Sequence, residues 1–252
     1  MPPALLMSEA APYPDDPFAL LEHAAFEGIE LIPWGSNYTF ATLLRADDGS
    51  CCYAVYKPRR GEVPLRDFPN GTLYRREVAA YVLARELGWD VVPPTVIRDD
   101  GPHGVGSVQL YVQPRTDATA HFEALRSSHR CDLQRMAVFD LLANNADRKG
   151  GHCLLDVRGH LWGIDHGLTF HHVPKLRTVI WDFCGDPIPA NLTDDLTRVR
   201  NDEARLRKLR EALRPLISGP EMDALLARWD RLLRNRCYPQ LDPYRNVPWP
   251  PF

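Results

Sequence analysis

The sequence predicts an α+β protein, with a small antiparallel sheet in the first part of the chain and a mainly helical second part. Three observations carry this. Between Leu31 and Ile97, short runs of β-forming residues are separated by turn signals. One helical segment interrupts those runs. Beyond Gln113-Pro114 the apolar residues recur at the spacing of helix faces instead of alternating.

The elements follow in order. YTFATLLR (38–45) and CCYAVYK (51–57) flank ADDGS, where Asp48-Gly49 is a hairpin signal. TLYRREVAAYVLAREL (72–87) is helical, with Thr72 as N-cap and Gly88 as the stop. DVVPPTVI and SVQLYVQP enclose the turn RDDGPHGVG and form a second hairpin, which gives at least four strands and one helix before residue 114. In the second part, Leu133, Met136, Ala137 and Leu141 share a helix face. So do Leu206, Leu209, Leu213 and Leu216, and then Met222, Leu225, Leu226, Trp229, Leu232 and Leu233. These stripes are core. Ser218-Gly219-Pro220 separates the last two helices, with Pro220 suited to a first turn. Residues 144–200 read as an irregular stretch with one short hairpin, HCLLDVRGHLWGID.

Composition narrows the function classes. Hydrophobic residues at 44% and charged residues at 25% describe an ordinary globular chain. A net charge of −3 lacks the basic excess of a nucleic-acid binder, so no nucleic-acid partner is expected. Six cysteines without a CxxC pair suit free thiols in a reducing compartment. The first residues lack a basic stretch followed by an apolar one, and no apolar run approaches the ~18 residues of a membrane span. The expectation is a cytoplasmic protein without a transmembrane segment.

Four polar features stand out. Lys57 ends a strand on the face shared with Cys51, Tyr53 and Val55, where a cation can meet phosphate oxygens or simply protect a sheet edge. Glu77 lies on the next helix, either to orient Lys57 or as part of a solvated face. NNADRKGGHCLL (144–155) places Asn144, Asn145, Asp147, Arg148 and His152 between a helix and a strand. An Asp there can accept a proton from a hydroxyl or hold a metal, or the polar residues can serve only to form a turn. WGIDHGLTFHH (162–172) sends Asp165 out of a strand, well placed for a divalent ion or for an ordinary turn.

In this order along one chain, the features describe a phosphotransferase layout. NADRKGGHCLL followed by WGIDHGLTF resembles the catalytic and metal-binding loops of the phosphatidylinositol 3-/4-kinase-like superfamily, closest to the type II phosphatidylinositol 4-kinase pattern and its bacterial relatives. The resemblance covers roughly 30–185 and is strongest over 138–170. It implies a two-lobed protein-kinase-like fold, with an N-terminal extension over 1–29, an N-lobe over 30–114 and a C-lobe over 115–252, together one catalytic domain. It implies binding of ATP or GTP with Mg2+ or Mn2+ and transfer of the terminal phosphoryl group to a hydroxyl acceptor on a protein, on a lipid headgroup or on the chain itself. By position, Lys57 meets the nucleotide phosphates with Glu77 as partner, and Gly35, Ser36 and Asn37 form the phosphate-covering turn. Gln109, Leu110, Tyr111 and Val112 lie at the hinge beside the adenine. Asp147 is the catalytic aspartate, Arg148 its positioning neighbour and Asp165 the principal metal ligand.

The chain departs from the family at two places. Where many kinases read DFG it reads DHG, and five residues after the catalytic Asp it has His152 in place of the usual Asn ligand. An imidazole nitrogen is a better ligand for manganese and later transition metals than for magnesium, and it ligates only when neutral, so binding should weaken as pH falls through ~6.5. Two rival readings stand beside the kinase. One is a nucleotide-binding pseudokinase acting as a regulatory module, against which the joint retention of Lys57, Asp147 and Asp165 argues. The other is a zinc hydrolase suggested by the cluster His152, His160, His166, His171 and His172, although HExxH and CxxC are missing. The stretch 171–189, with Lys175, Arg177, Trp181 and Phe183, occupies the substrate-facing position and suits a phosphorylated headgroup or an acidic peptide.

Overall fold

The computed structural model describes residues 14, 16–33 and 37–250. The chain divides into two compact units: Met1–Tyr81 with Pro93–Gln113, and Val82–Val92 with Pro114–Phe252.

The first unit contains helix α1 (Phe18–His23) and strands β1 (Ala25–Ile32), β2 (Thr39–Arg45), β3 (Cys51–Pro58), β4 (Thr95–Arg98) and β5 (Gly106–Leu110). The strands form an antiparallel sheet in the order β1-β2-β3-β5-β4. Helix α2 (Leu73–Leu87) follows β3, as the sequence predicts. At the β2–β3 turn Asp48 accepts from the Ser50 amide at 2.9 Å, and Gly49 takes φ +86°. Alternation decides the faces of β3: Cys52, Ala54 and Tyr56 are buried while Cys51, Tyr53, Val55 and Lys57 are half-buried. The buried face joins Leu44, Val96, Val108 and Leu110 in a core closed by Leu20, Leu21 and Ala24 of α1 and its end. Arg98 holds α1 there by donating to the Leu21 and Ala24 carbonyls at 3.1 and 3.0 Å. The sequence pattern predicts neither α1 nor β1. A six-residue helix has too short a pattern to detect, and β1 has a bulge between Glu27 and Ile29 that breaks its alternation.

The second unit is mainly helical: α3 (Phe122–Ser128), α4 (Arg130–Ala143), α5 (Ala190–Arg200), α6 (Glu203–Leu213) and α7 (Gly219–Asn235), with the hairpin β6 (Cys153–Leu155) and β7 (Leu161–Gly163). Helix α4 is buried on nearly every side, through Leu133, Met136, Val138, Phe139 and Leu142. Helices α5, α6 and α7 pack through Leu192, Leu196, Val199, Leu209, Leu213, Leu225 and Trp229. A capping box between Ser218 and Glu221 starts α7, and Asp202 caps α6 by accepting from the Ala204 and Arg205 amides. Helix α5 corrects the reading of 144–200 as irregular. Its Asn, Thr and Asp residues are weak helix formers, yet Leu192, Leu196 and Val199 fall on one buried face and packing overrides propensity. Among the described residues no helix is long and apolar enough to cross a membrane.

Candidate active site

In the first unit Lys57 sits on β3 opposite Ser107 of β5. Gly106 makes that pairing possible, because a Cβ there would overlap the Lys57 carbonyl and Pro58. The Lys57 ammonium is ion-paired with Glu77 of α2, whose side chain is only 3% exposed. A carboxylate this buried is tolerable because it is paired, so Glu77 is no solvated face residue. Val55, two residues before Lys57 on the same face, lies opposite Ala41 and Gln109. Asn37 accepts from the Val63 amide at 2.8 Å. Gly35 and Ser36 lie outside the described residues. Gln109 is buried and donates its side-chain amide to the Thr95 hydroxyl at 2.8 Å. Tyr111 donates its amide to the Tyr53 carbonyl at 2.9 Å, and Val112 is buried.

In the second unit the loop after α4 is built by its own polar residues. Asn144 ends the helix at φ +53°, a left-handed conformation that Asn accepts more readily than most residues. Its side chain donates to the His171 and Val173 carbonyls and accepts from the Lys175 amide, each at 2.8 Å. Asn145 donates to Asp140 at 2.9 Å and accepts from the Asp147 amide at 3.0 Å, which aims the Asp147 side chain. Lys149 meets the Asp147 carboxylate at 3.1 Å. Burial raises the pKa of Asp147, against the pull of Lys149, and the nearby Asp165 raises it further.

Arg148 is fully buried. It grips Asp140 with two bonds of 2.8 and 2.9 Å, donates to the His152 and Ile164 carbonyls at 3.1 Å, and contacts the His166 ring at 2.7 Å. Burial disfavours its charge, but Asp140 more than compensates and the net pKa is raised. Its bonds tie the His152 and Ile164 backbone to α4. Gly163 leaves the room: a Cβ there would sit 3.1 Å from the guanidinium and 3.2 Å from the Val91 carbonyl.

Asp165 leaves β7 at φ +59°, a conformation uncommon outside glycine and often found where strain serves a site. Its carboxylate lies 3.3 Å from His152 Nε2. The other ring nitrogen, Nδ1, is 2.9 Å from the Asp147 carbonyl, which can only accept, so Nδ1 carries the proton. Burial pushes the His152 pKa down to about 4 despite the attraction of Asp165, and the ring is neutral near pH 7. This moves the titration away from the ~6.5 that the sequence alone suggests. His152 Nε2 and the Asp165 carboxylate, 3.3 Å apart, are donor types that could both ligate one divalent ion. Among the described residues no group of three or more His, Cys, Asp or Glu could hold a metal.

The remaining histidines do not support a zinc site. His160 bonds the Asp90 carbonyl at 2.6 Å, His166 serves Arg148, and His171 stacks on His172 with ring centroids 4.5 Å apart. Two contributors carry no motif of their own. Asp140 could be suspected only as a carboxylate between Phe139 and Leu141 on a core helix, and Lys149 only as a cation two residues from Asp147.

A small antiparallel sheet joined to a helical unit carrying two aspartate loops defines a kinase-like fold. It is similar to the Helicobacter pylori proinflammatory kinase CtkA, with a TM-score of 0.54 at 12% identity, over 86% of this chain and 94% of that one. Residues 71–219 match the family described as phosphatidylinositol 3- and 4-kinase. Protein Rv2133c of Mycobacterium tuberculosis (strain ATCC 25618 / H37Rv) is 38% identical over 275 aligned residues, spanning 94% of this chain and 96% of that protein. The chain belongs to the phosphatidylinositol 3- and 4-kinase family. The matched residues include Glu77, Asp147, His152 and Asp165 and begin after Lys57.

Proposed function

We propose that the protein is a metal-dependent phosphotransferase that moves the terminal phosphoryl group of ATP or GTP to a hydroxyl acceptor. The observation that carries this reading is the His152 ring, which bonds the Asp147 backbone through one nitrogen and faces Asp165 through the other. A single side chain thereby fixes a proton acceptor beside a metal ligand. In this reading Lys57, oriented by Glu77, neutralises nucleotide phosphate charge. Asn37 belongs to the turn over the phosphates, and the Tyr111–Val112 backbone meets the base. Asp165 and His152 hold the metal, which when bound offsets the negative charge on the phosphate oxygens. Asp147 takes the proton of the acceptor hydroxyl as its oxygen bonds to the terminal phosphorus. The bond from phosphorus to the bridging oxygen breaks, and the electron pair leaves with the nucleoside diphosphate. The raised pKa of Asp147 suits a group that must accept a proton near neutral pH. Free cysteines throughout the described chain suit a reducing cytoplasm.

Nucleotide binding tests the reading directly. Calorimetry with the non-hydrolysable ATP analogue AMP-PNP and Mn2+ should show metal-dependent binding that Lys57→Met and Asp165→Asn each weaken by about tenfold or more. No binding with either Mn2+ or Mg2+ would refute it. A pseudokinase reading is favoured by His152 in the usual Asn position, and it predicts the same binding with no phosphoryl transfer.

A further inference from the structure

The catalytic-loop backbone does not end its pairing within the loop. Arg177 donates its amide to the Asn145 carbonyl at 2.9 Å and accepts from the Arg148 amide at 3.0 Å, and Val179 donates to the Arg148 carbonyl at 3.0 Å. Residues 177–179 thus run as a parallel bridge along 145–148, with Thr178 opposite Arg148. Asp147 lies inside that ladder, close enough to Arg177 for the guanidinium to pull its pKa down against the larger rise from burial.

The other edge of 176–178 is held by the C-terminal tail. Asn246 accepts from the Thr178 amide at 2.9 Å through its carbonyl and donates to the Leu176 carbonyl at 2.6 Å through Nδ2. Asn246 is itself locked in a turn: its amide donates to the Asp242 carbonyl at 2.9 Å, and its Oδ1 accepts from the Asp242 amide at 2.8 Å. All of its backbone and side-chain polar groups are therefore engaged. Only Asn supplies a short side chain with both a donor and an acceptor in this arrangement, since Asp would turn an acceptor toward the Leu176 carbonyl.

We propose that Asn246 is a positioning residue for phosphoryl transfer, and that the Asp242–Asn246 turn acts as a strap fixing segment 176–179 and, through it, the Asp147 loop. The inference rests on the phosphotransferase reading for its catalytic consequence, but the mechanical link stands on the hydrogen bonds alone. Loosening the strap unpins the edge of the ladder away from Asp147, so the Asp147 loop is disturbed first while Lys57 and Asp165, which lie outside the ladder, stay in place.

Hydrogen–deuterium exchange on the full-length chain tests the link, alongside activity and AMP-PNP binding with Mn2+. Asn246→Ala and the near-isosteric Asn246→Asp should speed exchange of the amides in 145–148 and 177–179 by about tenfold, while α7 exchanges as in the parent. Labelled-phosphate transfer from ATP should fall by a similar factor, with AMP-PNP affinity within twofold. Tyr244→Ala alters a side chain 95% exposed in the same turn and should leave all three readouts unchanged. Faster exchange confined to 242–246, with 145–148 protected as before, would overturn the proposal. An α7 that also loosened in both Asn246 variants would overturn it too, by showing general destabilisation. Absence of transfer in the parent would count against the phosphotransferase reading alone, since exchange reports the strap independently.

Discussion

A guanidinium with no exposed surface loses several kcal/mol of hydration, and Arg148 offsets this with two bonds to Asp140, two to backbone carbonyls and one to a histidine ring. Those carbonyls belong to His152 and Ile164, next to the two groups proposed to face the metal. Arg148→Met should therefore damage stability before chemistry. With Asp140 left buried without its cationic partner, the loss should be about 3–5 kcal/mol, roughly 10 °C in thermal unfolding. An unchanged midpoint would show that the pair is dispensable. At His152, an imidazole in place of a hard amide oxygen should favour Mn2+ over Mg2+, so His152→Asn should raise the ratio of Mg2+- to Mn2+-supported activity. If the ratio stays constant, the ring is no ligand.

Among the elements, both hairpins of the first unit and helix α2 are legible because Asp48-Gly49, Gly88 and the alternation in 51–57 are local signals. Helix α5 is not, since what stabilises it is distant in sequence. Asp195 on α5 accepts from the Trp89 indole at 2.9 Å and pairs with Arg198 at 2.7 Å. Trp89 is 3% exposed, so Asp195→Ala would orphan a buried donor at a cost of about 1–3 kcal/mol. Burial works against the Asp195 charge, but Arg198 and Trp89 prevail and its pKa is lowered. A carboxylate with a depressed folded pKa contributes stability above the ordinary value of ~3.9 and loses it as pH falls through the folded value. The gap between the parent and Asp195→Ala should stay level from about pH 5 to 8 and narrow only below ~3.9, as followed by chemical denaturation at each pH. Narrowing already at pH 6 would assign the effect to another group.

At the scale of the whole molecule, the order Lys57, Glu77, Asp147, Asp165 is readable because the residues follow one another as a cation in a strand, a carboxylate on the next helix and Asp loops at element ends. Family membership rests on the match over 71–219 and on the 38% identical relative. What sequence could not provide is the scaffolding. Asp140 lies a helix end away from Arg148, and Asn246 reaches segment 176–178 from about seventy positions downstream, with no motif marking either. Gln109 reads as a hinge residue, and its side-chain bond to Thr95 across the sheet is a contact that no motif announces. The most direct test of phosphoryl transfer is incubation of the purified protein with ATP labelled in its terminal phosphate, with Mn2+ and with Mg2+, comparing the parent with Asp147→Asn. The parent should transfer label to itself or to an added acceptor, and Asp147→Asn should lose 10²-fold or more while binding AMP-PNP almost as well. Equal label transfer by the two proteins, or none by the parent despite metal-dependent nucleotide binding, would contradict it.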